Sequence, residues 1–218
     1  MKLLLSIIAL LGKLKPVVDI ISKLLKRKGK IELTPVPKKT ASIFLPTGVF
    51  EGSRNWRYII IHHSFSKDGV MRNFDQLKKY HMSYRVNFEI VTKEEYYDRK
   101  RKKDGYSFQK PYSDIGYHLG IEYIGNQLEI VAGRLLSKSG AHCIGMNSKA
   151  IGICMVGNFD RDIPSPAHYW LLASLIRHLQ REFNIPLRNV VGHNMYSNKT
   201  CPGSNFNINH LKDVILGK

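Results

Sequence analysis

Apolar and polar positions follow two periods along this chain, and the pattern changes near residue 50. Trp56 to Ile61 is rich in β-formers and ends in three isoleucines, which predicts a buried strand that exits at His62 and His63. Phe74 to Met82 has helical spacing and predicts a short helix. Tyr117 to Tyr123 and Leu128 to Val131 flank Gly125-Asn126, so they predict a hairpin. Ala150 to Val156 is apolar enough for a central strand. Ser165-Pro166 marks a helix start, with Ser as N-cap and Pro at the first helical position. Leu172, Leu175, Ile176, Leu179 and Phe183 then form one apolar stripe, and this helix must end before Pro186. A strand-like Asn189 to Val191 follows. The order predicts an α/β fold: a single domain with a central mixed β-sheet flanked by helices, over residues 51–218. No internal repeat is visible.

Residues 93–110 carry the run Arg99-Lys100-Arg101-Lys102-Lys103 and then Asp104-Gly105, a pattern expected of a solvated loop. The first 50 residues differ from the rest. Residues 1–30 place Leu4, Ile7, Ile8 and Leu11, then Val17, Ile20, Ile21, Leu24 and Leu25, at helical spacing, with a basic end from Lys26 to Lys30. That favours a basic amphipathic segment lying on a membrane surface. A signal peptide is the second reading, although no A-x-A-like cleavage site follows the apolar core. Lys13 and Lys15 interrupt the run, so it falls short of a spanning helix. Residues 31–50, with Pro35, Pro37, Pro46 and Gly48, read as a linker.

Composition narrows the partners. The chain has 218 residues and 43% hydrophobic content, enough for one core of ordinary size. Its 34 Lys+Arg against 17 Asp+Glu give a net charge of +17. Such a balance favours anionic partners, such as a membrane or a cell-wall polymer met through the N-terminus and Arg99 to Lys103. Specific nucleic-acid binding is not expected, because the basic run has no interleaved aromatics. The three cysteines, Cys143, Cys154 and Cys201, are too few and too scattered for a disulfide scaffold. A Cys143–Cys154 pair stays open but is disfavoured, and Cys154 reads first as a buried small hydrophobe.

Two segments carry the chemistry. His62 ends the first strand, and Val190-Val191-Gly192-His193 leads through a polar loop to Cys201-Pro202-Gly203. The loop between His193 and Cys201 is long enough to fold both side chains back on one ion. His62, His193 and Cys201 together offer three protein ligands, the number that leaves a catalytic zinc open to water, whereas structural sites close with four. His63 points to the opposite face of the strand and is a weaker candidate. His81, His118, His142, His168, His178 and His210 lack the loop partner.

Taken together, Ile61-His62-His63-Ser64, Tyr80-His81-Met82, Asp114-Ile115-Gly116-Tyr117-His118, Gly140-Ala141-His142, Asn147, Ile151-Gly152-Ile153, Gly157-Asn158-Phe159-Asp160, Gly192-His193 and Lys199-Thr200-Cys201-Pro202 resemble the zinc-dependent N-acetylmuramoyl-L-alanine amidases. That family includes phage amidase lysozymes and peptidoglycan recognition proteins. The resemblance spans about residues 55–206. It implies Zn2+ held by His62, His193 and Cys201, with Tyr117 and Lys199 as catalytic groups beside it. It also implies peptidoglycan as substrate, cut at the amide between N-acetylmuramic acid and L-alanine, with cell-wall degradation and bacteriolysis as the outcome. Lys199 matches the lysine of the phage-type enzymes, which tilts the reading toward an endolysin acting as a monomer. A non-catalytic peptidoglycan-binding module is the alternative, and the presence of Cys201 argues against it. His142 and Asn147 are expected to line the cleft or brace a loop. The stretch between Met82 and Asp114 is longer than the family's usual one and is read as an insertion that rims the cleft or contacts the wall.

Overall fold

The computed structural model describes residues 54–66 and 73–218. The N-terminal segment at 1–30, the linker at 31–50 and the boundary near residue 51 lie outside the described residues. Within them the predicted α/β architecture is borne out. A five-stranded sheet runs in the order β6-β5-β7-β1-β8. Its strands are β1 (Tyr58–His63), β5 (Leu119–Ile124), β6 (Gln127–Ala132), β7 (Ala150–Met155) and β8 (Val190–Gly192). β1 pairs in parallel with β7 and β8, β5 pairs in parallel with β7, and β5 and β6 form the antiparallel hairpin. Gly125 turns that hairpin at φ +61°, a conformation that costs glycine nothing.

The strand and helix patterns explain each other. Ile59, Ile61, Ile151, Ile153 and Met155 share one sheet face and pack under α3 (Pro166–Phe183). The stripe Leu172, Leu175, Ile176 and Leu179 is fully buried against them. Ser165 and His168 close a capping box at the start of α3. α4 (Ile208–Leu216), not foreseen from the sequence, adds Leu211 and Ile215 to the same core. Trp56 completes it, donating its indole N–H to the Leu136 carbonyl at 3.1 Å. On the opposite face, Ile60, His62, Ala150 and Cys154 alternate with those core residues, so His62 points away from α3.

α1 (Phe74–His81) lies over that second face. Asn73 caps it through Gln76 N–H at 2.9 Å, and the buried Glu122 carboxylate accepts from Phe74 N–H at 2.6 Å. An anion at a helix N-terminus satisfies an orphan donor and suits the dipole.

The expected loop at 93–110 is a correction. β2 (Tyr84–Val86), β3 (Glu89–Val91) and β4 (Phe108–Gln109) form a separate antiparallel sheet, and α2 (Lys93–Lys102) packs on it through Tyr96. Thr92 caps α2 by accepting from Glu95 N–H. The basic run forms the last turn of this helix and its C-cap, Lys103, and three of its residues are paired: Arg99 with Glu95 and Asp104, Arg101 and Lys102 with Asp98. Arg85 of β2 is buried with its guanidinium over the rings of Tyr80 at 4.6 Å and Tyr112 at 5.4 Å, which ties the insertion to α1. Among the described residues no helix is long and apolar enough to cross a membrane.

Candidate metal centre

The parallel ladder carries β1 through His62 and His63, which pair with Cys154 and Met155 of β7, so both histidines sit within the strand rather than beyond it. His62 faces the side away from α3. His193 opens the turn immediately after β8, the neighbouring strand. The loop then returns, and Asn194 N–H donates to the Cys201 carbonyl at 2.7 Å. Gly192 makes this return possible, because a Cβ there would lie 2.7 Å from Pro202 Cδ.

The ligand atoms of His62, His193 and Cys201 consequently lie within 4.8 Å of one another. His62 Nδ1 is 3.6 Å from Cys201 Sγ. Zinc binds imidazole nitrogen at about 2.0–2.1 Å and thiolate sulfur at about 2.3 Å, so a tetrahedral N–Zn–S edge is about 3.6 Å. The donor set also suits a cation chemically. Burial pushes the Cys201 thiol up to about 12, although the His63 backbone N–H and the Lys199 ammonium pull it down. A thiol this reluctant to ionise becomes a thiolate when a cation is bound. Burial, then His142 and His193, hold His62 well below the ordinary histidine value. Burial and then Lys199 lower His193 in the same direction. Both rings are thus neutral and able to ligate.

Tyr117 stands beside this group, its ring centroid 5.1 Å from that of His62. Burial keeps its hydroxyl protonated, raised well above the usual phenol value, and the nearby Cys154 and Cys201 sulfurs act in the same direction. Lys199 is exposed on the loop, and its charge acts on His62, His193 and Cys201 together. The structure therefore gathers all five residues singled out from the sequence in one place. His63 is turned the other way, as expected, and its Nδ1 accepts from Phe159 N–H at 3.1 Å.

Several supporting residues escape a reading of the sequence alone. Cys154 is buried as expected, but its register opposite His62 also brings its sulfur to bear on Tyr117. Asp160 pins the ligand loop by accepting from Thr200 Oγ1 at 2.8 Å and Ser204 N–H at 2.7 Å. Asn147, by contrast, braces its loop as expected, its Oδ1 accepting from the N–H groups of His142 and Cys143. All three cysteines are free. His118 accepts from Gly152 N–H through Nδ1 and donates through Nε2 to the Lys138 carbonyl. Burial lowers His118 to about 4 and His142 to about 3.

The chain folds as a mixed α/β domain with a His, His, Cys cluster at the ends of β1 and β8. Residues 52–204 match the N-acetylmuramoyl-L-alanine amidase family, and the chain belongs to that family. It is 30% identical over 114 residues to peptidoglycan-recognition protein 2 of Holotrichia diomphalia, covering 50% of this chain and 46% of that protein. It is 32% identical over 94 residues to the endolysin of Klebsiella phage KP32, covering 41% of this chain and 59% of the endolysin. The chain spans about half the length of the first curated relatives it matches. Among solved structures, the N-acetylmuramoyl-L-alanine amidase LysC from Clostridium intestinale aligns with a TM-score of 0.52 at 25% identity, covering 74% of this chain and 86% of LysC.

Proposed function

We propose that this protein is a zinc-dependent N-acetylmuramoyl-L-alanine amidase of the phage endolysin type, with peptidoglycan as substrate. The observation that carries the reading is the His62, His193 and Cys201 cluster with Tyr117 and Lys199 at its side. A recognition module needs no open ligand set and no donor beside it. Lys199 and the similarity to a phage endolysin support the endolysin branch.

His62, His193 and Cys201 would hold the ion. Zinc bound there supplies a Lewis acid that activates water near neutral pH and polarises a carbonyl. The remaining roles follow from what each side chain has to offer. Lys199 has hydrogens to donate and no acceptor, so it faces the oxyanion that develops as the amide is attacked. Tyr117 stays protonated beside His62, and its hydroxyl orients the attacking water. The residues ahead of the domain, 1–30, carry the basic amphipathic pattern suited to an anionic membrane.

Incubation with purified sacculi tests the reading. The expected products are free stem peptides and intact glycan strands, with loss of activity on removing zinc and recovery on adding it back. New reducing sugar ends, or full activity in metal-free protein, would overturn it.

A further inference from the structure

A histidine ligand has two nitrogens, and the one facing the ion must carry no hydrogen. In His62, Nδ1 faces Cys201 Sγ, while Nε2 lies 3.0 Å from His142 Nδ1. Across the second ring, His142 Nε2 lies 3.2 Å from the Ala150 carbonyl oxygen. A carbonyl only accepts, so His142 Nε2 carries the hydrogen and, in a neutral ring, His142 Nδ1 is an acceptor. The contact is then made by a hydrogen on His62 Nε2, and His62 Nδ1 is left bare.

We propose that His142 is a positioning residue that locks His62 in its Nε2–H tautomer, through a relay anchored on the Ala150 carbonyl, and so presents Nδ1 to the metal. The inference rests on the reading of His62 as a ligand. Metal-bound histidines usually donate directly to a carboxylate or a carbonyl. Here an imidazole stands between, and the carbonyl acts at one remove.

The surroundings are shaped for that ring. A Cβ on Gly152 would lie 2.5 Å from His142 Cδ2, and one on Gly140 would meet the same atom. Both positions therefore keep the slot clear. Asn147 holds the backbone on either side of the ring: its Oδ1 accepts from His142 N–H at 2.7 Å and Cys143 N–H at 2.8 Å, and its carbonyl accepts from Gly140 N–H at 2.9 Å. Ala150, the final acceptor, lies on β7 and pairs with Tyr58 of β1, the strand that carries His62. The relay thus closes within one sheet.

Two measurements test it. In metal-free wild-type protein, long-range proton–nitrogen-15 NMR correlations should show both His62 and His142 as Nε2–H tautomers. Competition with a chromophoric chelator should show zinc affinity falling about 10- to 100-fold in His142→Ala. His142→Asn keeps an acceptor oxygen near the Nδ1 position and should recover most of the loss, with melting temperature followed in both variants. A His62 found as the Nδ1–H tautomer, or a folded His142→Ala with wild-type zinc affinity, overturns the relay. Should His142→Ala fail to fold, the wild-type tautomer decides. A wild-type protein that takes up no zinc overturns the metal reading alone, and the tautomer in the metal-free protein still decides the relay.

Discussion

His62 Nδ1 and Cys201 Sγ meet at 3.6 Å although 139 positions separate them in the chain. One comes from an interior strand of the sheet and the other from a loop held down at both ends, so the pair depends on the whole domain being folded. Cys201→Ser keeps the shape but replaces a thiolate with a poor zinc ligand. The expected result is a loss of zinc affinity greater than about 100-fold, above the range for second-layer partners. Amidase activity should disappear with it. Elemental analysis of dialysed protein and peptide release from sacculi check both, and equal zinc content in the two proteins would contradict the assignment.

Tyr117→Phe separates chemistry from metal binding. The ring still packs beside His62, and the triad is untouched. Only the hydroxyl, to which the proposed mechanism gives the attacking water, is gone. Zinc affinity should stay within a factor of about 2, while kcat falls by about 100-fold or more, the usual range for a positioned proton-handling group. Steady-state kinetics on soluble muropeptides, split into kcat and KM, measure this. A change confined to KM would make Tyr117 a substrate contact instead.

How much of this was legible beforehand depends on where the stabilisation lies. β1, β7 and α3 follow from apolar periodicity, because each buries a continuous face in the common core. α2 has no such face: of Lys93 to Lys102 only Tyr96 is buried, and the helix rests on Thr92, on local ion pairs and on its small sheet. A sequence dominated by charge looks like a solvated loop for that reason. β2, β3 and β4 are too short to show alternation. α4 did carry a signal, since Ile208, Leu211 and Ile215 have helical spacing. In the site, His62 and His193 stand out because each follows an apolar run, and Cys201 because a short polar loop joins it to His193. Cys154, Asp160 and the slot around His142 depend on strand register and loop return, which no local pattern encodes.

Asp160 should matter to the metal centre without touching it. Its carboxylate accepts from Thr200 and Ser204 on either side of Cys201, and its Oδ2 lies 3.9 Å from His63 Nε2. Burial raises its pKa, but the Ser204 and Thr200 hydrogen bonds outweigh this and leave it lowered. Asp160→Ala removes the anchor and should cost about 1–3 kcal/mol. Amide exchange at residues 200–204 should accelerate, and zinc affinity should weaken although all three ligands remain. Unchanged exchange in the loop would show that it holds its shape without Asp160.

The buried histidines should make the domain acid-sensitive, and His118 gives a measurable share of it. Its ring is fully buried, and burial lowers it from 6.5 to about 4. In the unfolded chain it protonates near the ordinary value; in the folded one it stays neutral, with Nδ1 accepting from Gly152 N–H. Between those two values the unfolded state binds the extra proton, so stability falls as pH drops from about 6.5 to about 4 and levels off below. A gap of this size corresponds to about 3 kcal/mol. Burial lowers His63 and His168 in the same direction, so the total decline exceeds one group's share. His118→Asn places an amide oxygen near Nδ1 and removes the titration. Urea unfolding at a series of pH values should then show a slope shallower by about one proton across that window, whatever the variant's stability at neutral pH. Identical slopes for the two proteins would mean that His118 already takes up its proton in the folded state.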